Sequence, residues 1–269
     1  MAVLLAFIMT TAALQAWGWR IGFLVGLSIV PFGLLVRRGL PETAPHRTGG
    51  PPRSTVREPI PWGLVFLGVA LLGSGTINTY VGQYMTTYAL DTLHMSAKVA
   101  FGVGVVSGVC NLVCVPIGGA LSDRLGRKTL MIPGAILSAA VMLPGLAFVL
   151  SHPTPLALYA MTAVVTIPSA VGGAGLLVAL TESFPASMRC LSVGLIYAVA
   201  ISIFGGTAQF VVAWLTHATH QPMAPAYYRF VASAIGIAAM FALPESAPAR
   251  LAARAAKLEA LEAVTAAAL

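Results

Sequence analysis

Eight long apolar runs, set apart by charge, proline and turn residues, constrain this chain more than any other feature. They fall at about 1–16, 19–36, 62–89, 99–121, 129–150, 155–180, 191–216 and 226–243. A bilayer-crossing helix needs about 20 apolar residues and a short loop, so roughly 33 residues are used per crossing. A chain of 269 residues therefore holds about eight crossings. Two of the runs are long enough to hide a tilt or a break. Only 9% of the residues are charged, against about 25% in an ordinary soluble domain. With a mean hydropathy of +0.89, a soluble enzyme, a nucleic-acid binder and a disordered tail are excluded. The expected fold is an all-α integral membrane protein.

The charges support the count. With the amino terminus on the inside, eight spans return the chain to the inside. The inner loops and tail then hold Arg37, Arg38, Arg47, Arg53, Arg57, Arg124, Arg127, Lys128, Arg189, Arg250, Arg254 and Lys257, and the outer loops hold Arg20, Lys98 and Arg229. Twelve against three is the asymmetry that keeps positive loops cytoplasmic. The net charge of +7 thus belongs to topology and not to a nucleic-acid partner. On this placement all the charged residues lie outside the apolar centres. Met1 leads straight into apolar residues with no basic segment before them, which argues against a signal peptide. The expectation is a chain that starts inside a transmembrane helix.

Leu40-Pro41-Glu42-Thr43-Ala44-Pro45 after the second run is nearly repeated as Leu243-Pro244-Glu245-Ser246-Ala247-Pro248 after the eighth. Such a repeat at matched positions points to a duplicated unit. Six spans separate the two copies, but only two precede the first.

Between the fourth and fifth runs lies Gly119-Ala120-Leu121-Ser122-Asp123-Arg124-Leu125-Gly126-Arg127-Lys128. Gly119 suits close helix approach, and Gly126 suits a tight turn. Asp123 suits a helix amino terminus, and Arg124, Arg127 and Lys128 can pair with acids. The stretch resembles the G-x-L-x-D-R-x-G-R-K hallmark loop of the major facilitator superfamily. Trp17-Gly18-Trp19-Arg20-Ile21 with Arg37-Arg38, the Glu182-Ser183-Phe184-Pro185-Ala186-Ser187-Met188-Arg189 segment and Phe204-Gly205-Gly206-Thr207-Ala208 resemble its metabolite:proton symporter branch. Gln209 stands where many members of that branch carry proline.

The resemblance implies spans five to twelve of a twelve-span fold. The chain would divide into two helices of an amino-terminal unit (1–38), a basic proline-rich cytoplasmic linker (39–61), a complete six-helix unit (62–246) and a cytoplasmic tail (247–269). The tail reads as a short surface helix. The resemblance also implies an inside gate built from Gly119, Asp123, Arg124, Gly126, Arg127 and Lys128, with Glu182 and Arg189 as a gate pair.

Asn78 and Gln83 are costly in lipid and are expected to face protein or water. With Tyr84, Asn111 and Gln209 they are the candidates for a substrate cavity. Interhelical hydrogen bonding is the competing role for Asn111 and Gln209, and packing is the expected role for Tyr88. Pro116, Pro133, Pro144 and Pro168 are expected to kink or end helices. Cys110 and Cys114 share a helix face without a His or acidic companion, so no metal and no cofactor is expected. No His/Asp/Glu cluster or nucleophile constellation suggests an enzyme. The implied function is secondary active transport of a small metabolite, such as an organic acid or osmolyte, with protons as the coupling partner. The alternative is a non-transporting remnant or partner subunit. The expected location is the bacterial inner membrane, with both termini cytoplasmic and the lipid bilayer as surroundings.

Overall fold

A computed structural model describes Trp17 and residues 19–39, 61–185 and 187–243. The first expected span, nearly all of the linker, the tail and the repeated hexapeptides apart from Leu243 lie outside the described residues. Among the described residues there are helices and turns and no strand. The chain divides into two units, Met1–Pro59 and Ile60–Leu269.

In the first unit, the expected span at 19–36 is two helices, α1 (Trp19–Leu27) and α2 (Ile29–Gly39). Ser28 separates them, and its hydroxyl donates to the Val25 carbonyl at 2.6 Å. Pro31 has no N–H to return to Leu27, so the break follows from the ring three residues further on.

Among its described residues the second unit has six helical spans long and apolar enough to cross a membrane. The first three are α3 (Trp62–Asp91), α4 (Ala97–Leu125) and α5 (Arg127–Ser151). The fourth is split into α6 (Pro155–Gly173) and α7 (Leu176–Glu182). The fifth is α8 (Arg189–Val199), a π-helical segment (Ala200–Gly205) and α9 (Gly206–Thr219). The last is α10 (Ala224–Ala242). The breaks sit inside two of the long runs. Pro116, Pro133, Pro144 and Pro168 end no helix, because each lies inside one that continues past it.

With apolar lipid outside, helices associate through close packing and polar contacts. Small residues provide the packing here. A β-carbon on Gly118 would lie 2.7 Å from the Val171 Cα, and one on Gly134 would lie 2.9 Å from the Gly172 Cα. These contacts bring α4 and α5 against the backbone of α6. Gly119, the glycine expected to be closely approached, has open space beside it. The pattern is displaced by one residue, which on a helix is a rotation of about 100°.

Three apolar clusters fill the unit. The largest joins Val81, Tyr84, Tyr88, Val103, Met142, Leu146, Leu158 and Val212. The two smaller ones lie toward the Gly126 end, around Leu72, Leu180, Phe184 and Ile196 and around Leu71, Met131 and Met240.

One charge departs from its expected place. Arg229, assigned by sequence to an outer loop, is the sixth residue of α10 and is buried at 5% exposure. The helix begins earlier than hydropathy suggests, with Pro225 pre-set for its first turn. The expected run at 226–243 already includes this position at its outer end, although its charge is tallied with the outer loop. The start at Ala224 sets it more than a turn inside the helix.

Candidate functional site

Two polar constellations stand out in the second unit. The first is built on the hallmark loop. α4 and α5 are joined by Gly126 alone, at φ 111° and ψ 147°, a conformation open to glycine and strained for other residues. This single-residue turn puts Arg127 at the start of α5, beside the last turn of α4. The Arg127 Nη1 donates to Asp123 and, at 3.4 Å, to the Ser122 hydroxyl. Its Nη2 reaches Glu182 Oε1 at 3.1 Å, and its Nε reaches Glu182 Oε2 at 3.4 Å. The two contacts to Glu182 form the parallel fork that suits guanidinium and carboxylate. Arg127 therefore ties the end of α4, the start of α5 and the end of α7 together. Gly175, at the break between α6 and α7, leaves the space that Ser122 and the Arg127 chain occupy.

Two more cations close helix ends nearby. The Lys128 Nζ donates to the Phe241 carbonyl at 2.8 Å, one of the last-turn acceptors of α10 that have no partner within their own helix. Arg189 donates to the Phe184 carbonyl at 3.3 and 3.4 Å. The expected gate pair is thus repartitioned: Glu182 takes Arg127, and Arg189 secures the turn between α7 and α8. The physical reason is direction. The α7 carboxylate faces the α5 start, while Arg189 folds back onto a carbonyl five residues earlier. Arg124 is exposed on α4.

The second constellation lies deeper. Ser138 is the twelfth of the 25 residues of α5, about 17 Å from its start at 1.5 Å per residue. Its hydroxyl donates to the Val165 carbonyl at 3.1 Å and accepts from the Arg229 Nη2 at 2.9 Å. The Arg229 Nε is buried without a hydrogen-bond partner. Neither ion pair found among the described residues includes Arg229. One turn further along α10, the Ser233 hydroxyl donates to Asn78 Oδ1 at 3.0 Å. Arg229 and Ser138 were missed as site residues. A signal was present, because Arg229 is in helical register with Ala232, Ser233, Gly236, Ala239 and Met240, the buried face of α10.

The structure separates the cavity candidates. Asn78 is half-buried and engaged by Ser233. Tyr84 is buried in the large cluster, its ring centroid 6.5 Å from that of Tyr88. Tyr88 is fully buried, and its hydroxyl donates to the Pro222 carbonyl at 2.6 Å. Gln83, Asn111 and Gln209 are exposed on α3, α4 and α9. Asn111 returns a hydrogen bond to the Ser107 carbonyl at 2.8 Å. Gln83 shares its face with Thr79, Thr87 and Asp91, spaced four apart and all exposed. Among the described residues no group of three His, Cys, Asp or Glu is placed to hold a metal.

The family described as sugar (and other) transporter matches residues 62–253, which cover the whole charged latch and all six spans. The chain belongs to that family. It is a major facilitator protein, and it is integral to a membrane. It is 35% identical over 216 residues to the alpha-ketoglutarate permease of Escherichia coli, covering 78% of this chain and 49% of that protein. It is 29% identical to the citrate-proton symporter of Klebsiella pneumoniae, covering 86% of this chain and 53% of that protein. The ectoine/proline transporter ProP of Corynebacterium glutamicum is 26% identical, with 87% and 50% covered. The chain thus spans about half the length of the curated relatives it matches. No solved structure gives a significant match.

Proposed function

We propose that this chain serves in proton-coupled symport of a small metabolite, an organic acid or a zwitterionic osmolyte, by alternating access. The observation that carries the reading is the latch at Gly126. Arg127 draws three helix ends together through partners that a rearrangement can release, in a unit whose family members include proton-linked symporters. Asp123, Arg124, Gly126, Arg127, Lys128, Glu182 and Arg189 form or flank the gate. The positive-inside asymmetry supports a cytoplasmic position for that end and for both termini, and on this reading the membrane is the bacterial inner membrane.

The solute-facing surface on this reading is supplied by Gln83, Asn111 and Gln209, with Asn78 half-buried on α3 and held by Ser233. Polar side chains left exposed in a transmembrane bundle are expensive against lipid and are at home against water or solute. Tyr84, deep in the apolar cluster, supports the wall by packing.

The test is uptake by proteoliposomes containing the chain. Labelled citrate, 2-oxoglutarate or proline should accumulate under an imposed inward proton gradient, and a protonophore should abolish the accumulation. Uptake no greater than in protein-free vesicles overturns autonomous transport. The coverage of only half of each relative favours a second reading, a subunit that transports only with another chain. Uptake that appears only after co-reconstitution with a second chain selects that reading.

A further inference from the structure

The latch accounts for Arg127 but leaves Arg229 unexplained. A guanidinium does not lose its proton in a protein, so burial cannot neutralise it. At the seam of α3, α5 and α10 it meets one neutral hydroxyl at 2.9 Å, and its Nε has no partner. Among the described residues it has no carboxylate. A charge held this way in a membrane span is costly, and such charges mark solute or ion pathways.

A second observation concerns the space in front of it. A β-carbon built on Gly82 of α3 would have the Arg229 Nη1 at 3.9 Å and, apart from its chain neighbours and the backbone of its own helix, no other heavy atom within 4 Å. The glycine therefore leaves a gap that the guanidinium borders. Gly82 is half-buried and directly precedes Gln83 on the exposed polar face of α3.

We propose that Arg229 and the gap at Gly82 form a carboxylate-binding subsite, with Ser138 fixing the guanidinium from behind. A carboxylate in the gap accepts from Nη1, matches the planar fork and supplies the missing negative charge. The proposal rests on the symport reading only for the origin of the carboxylate, a solute reaching the polar face of α3.

The test measures binding without transport. The full chain is placed in phosphatidylcholine nanodiscs, which contain no anionic lipid, and its thermal unfolding is followed with acetate, citrate or chloride. Acetate and citrate should raise the midpoint saturably, and chloride should not. Arg229→Gln should weaken the apparent carboxylate affinity at least tenfold while the ligand-free midpoint stays level or rises, because an uncompensated charge has been removed. Gly82→Val keeps the arginine, closes the gap and should lose the carboxylate effect to the same extent. Equal carboxylate protection of wild type and Arg229→Gln overturns the subsite. So does protection by chloride as strong as by acetate, or a Gly82→Val variant that binds normally. Arg229-dependent binding in a chain without proton-driven uptake would sustain this inference while the symport reading fails, and uptake unaffected by Arg229→Gln would do the reverse.

Discussion

Two arginines in the same six-helix unit are buried almost equally, Arg127 at 6% and Arg229 at 5% exposure, and their surroundings are opposite. Arg127 sits where three helix ends meet and is surrounded by two carboxylates and a hydroxyl. Arg229 sits along a helix seam, holds one serine and leaves its Nε unmet. The first is complete and acts as a fastener. The second is incomplete and is ready for an anion. Burial by itself therefore does not tell a structural charge from a binding charge. The local supply of acceptors does.

The contrast breaks first at Glu182. Its carboxylate takes the fork of Arg127, so Glu182→Gln leaves the buried cation only the mostly exposed Asp123 as counter-charge and should cost about 3 kcal/mol. Asp123→Asn should cost under about 1 kcal/mol, because that side chain is 67% exposed. Unfolding midpoints in detergent measure both. If Glu182→Gln is as stable as the wild type, the fork to Glu182 does not fasten the helix ends and that part of the distinction fails. Gly126→Ala should cost about 2 kcal/mol, since φ 111° with ψ 147° is a glycine conformation. The conservative exchange leaves every latch side chain in place. A loss of that size in the same unfolding assay would show that the fastener depends on the turn that aims Arg127, and no loss would show that it does not.

On the Arg229 side the effects are smaller and coupled. Ser138→Ala removes the one hydrogen bond of the guanidinium and should cost about 1–2 kcal/mol. In an Arg229→Gln background the same substitution should cost markedly less, because the stranded charge is gone. A double-mutant cycle reads this difference. Additive costs would mean that Ser138 acts through the Val165 carbonyl, to which it also donates, and not through the arginine.

The latch was legible because its residue types and spacing are local: Asp123, Gly126 and Arg127 lie within five positions, and a one-residue turn leaves them little choice. The six spans of the second unit were legible for a similar reason, since long apolar runs can only be buried or lie in lipid. What local pattern could not reveal was direction around a helix. Gly118 takes the close contact with Val171 while the motif's own Gly119 faces open space. Glu182 chooses Arg127 over Arg189 because helix ends remote in sequence meet there. Arg229 lies near the outer end of the apolar run 226–243 and was tallied with the outer loop because of its charge, although the alanines of α10 carry it inside the span. Its phase with Ser233 and Gly236 was readable, but its lack of a counter-charge was not, because that depends on what α3 and α5 bring to the seam. The π-helical segment at Ala200–Gly205 is a further case. It falls inside the long run at 191–216, whose length leaves room for a break without specifying the wider turn.

The smallest expected effect lies at Lys128, beside the latch but outside the fork. Its ammonium donates to the Phe241 carbonyl at 2.8 Å in an exposed setting, where water competes for the same acceptor. Lys128→Met should therefore lower overall stability by only about 0.5 kcal/mol. The effect should be local, because the carbonyl belongs to the final turn of α10, where a cation also complements the helix dipole. Amide hydrogen exchange in that turn should quicken severalfold while exchange around Met131 and Leu146 stays unchanged. Lys128→Arg should restore protection, since it retains charge and donors. A loss of stability as large as that from Glu182→Gln would place Lys128 inside the fastener, and the fastened region would then extend from the α4–α5 turn to the end of α10.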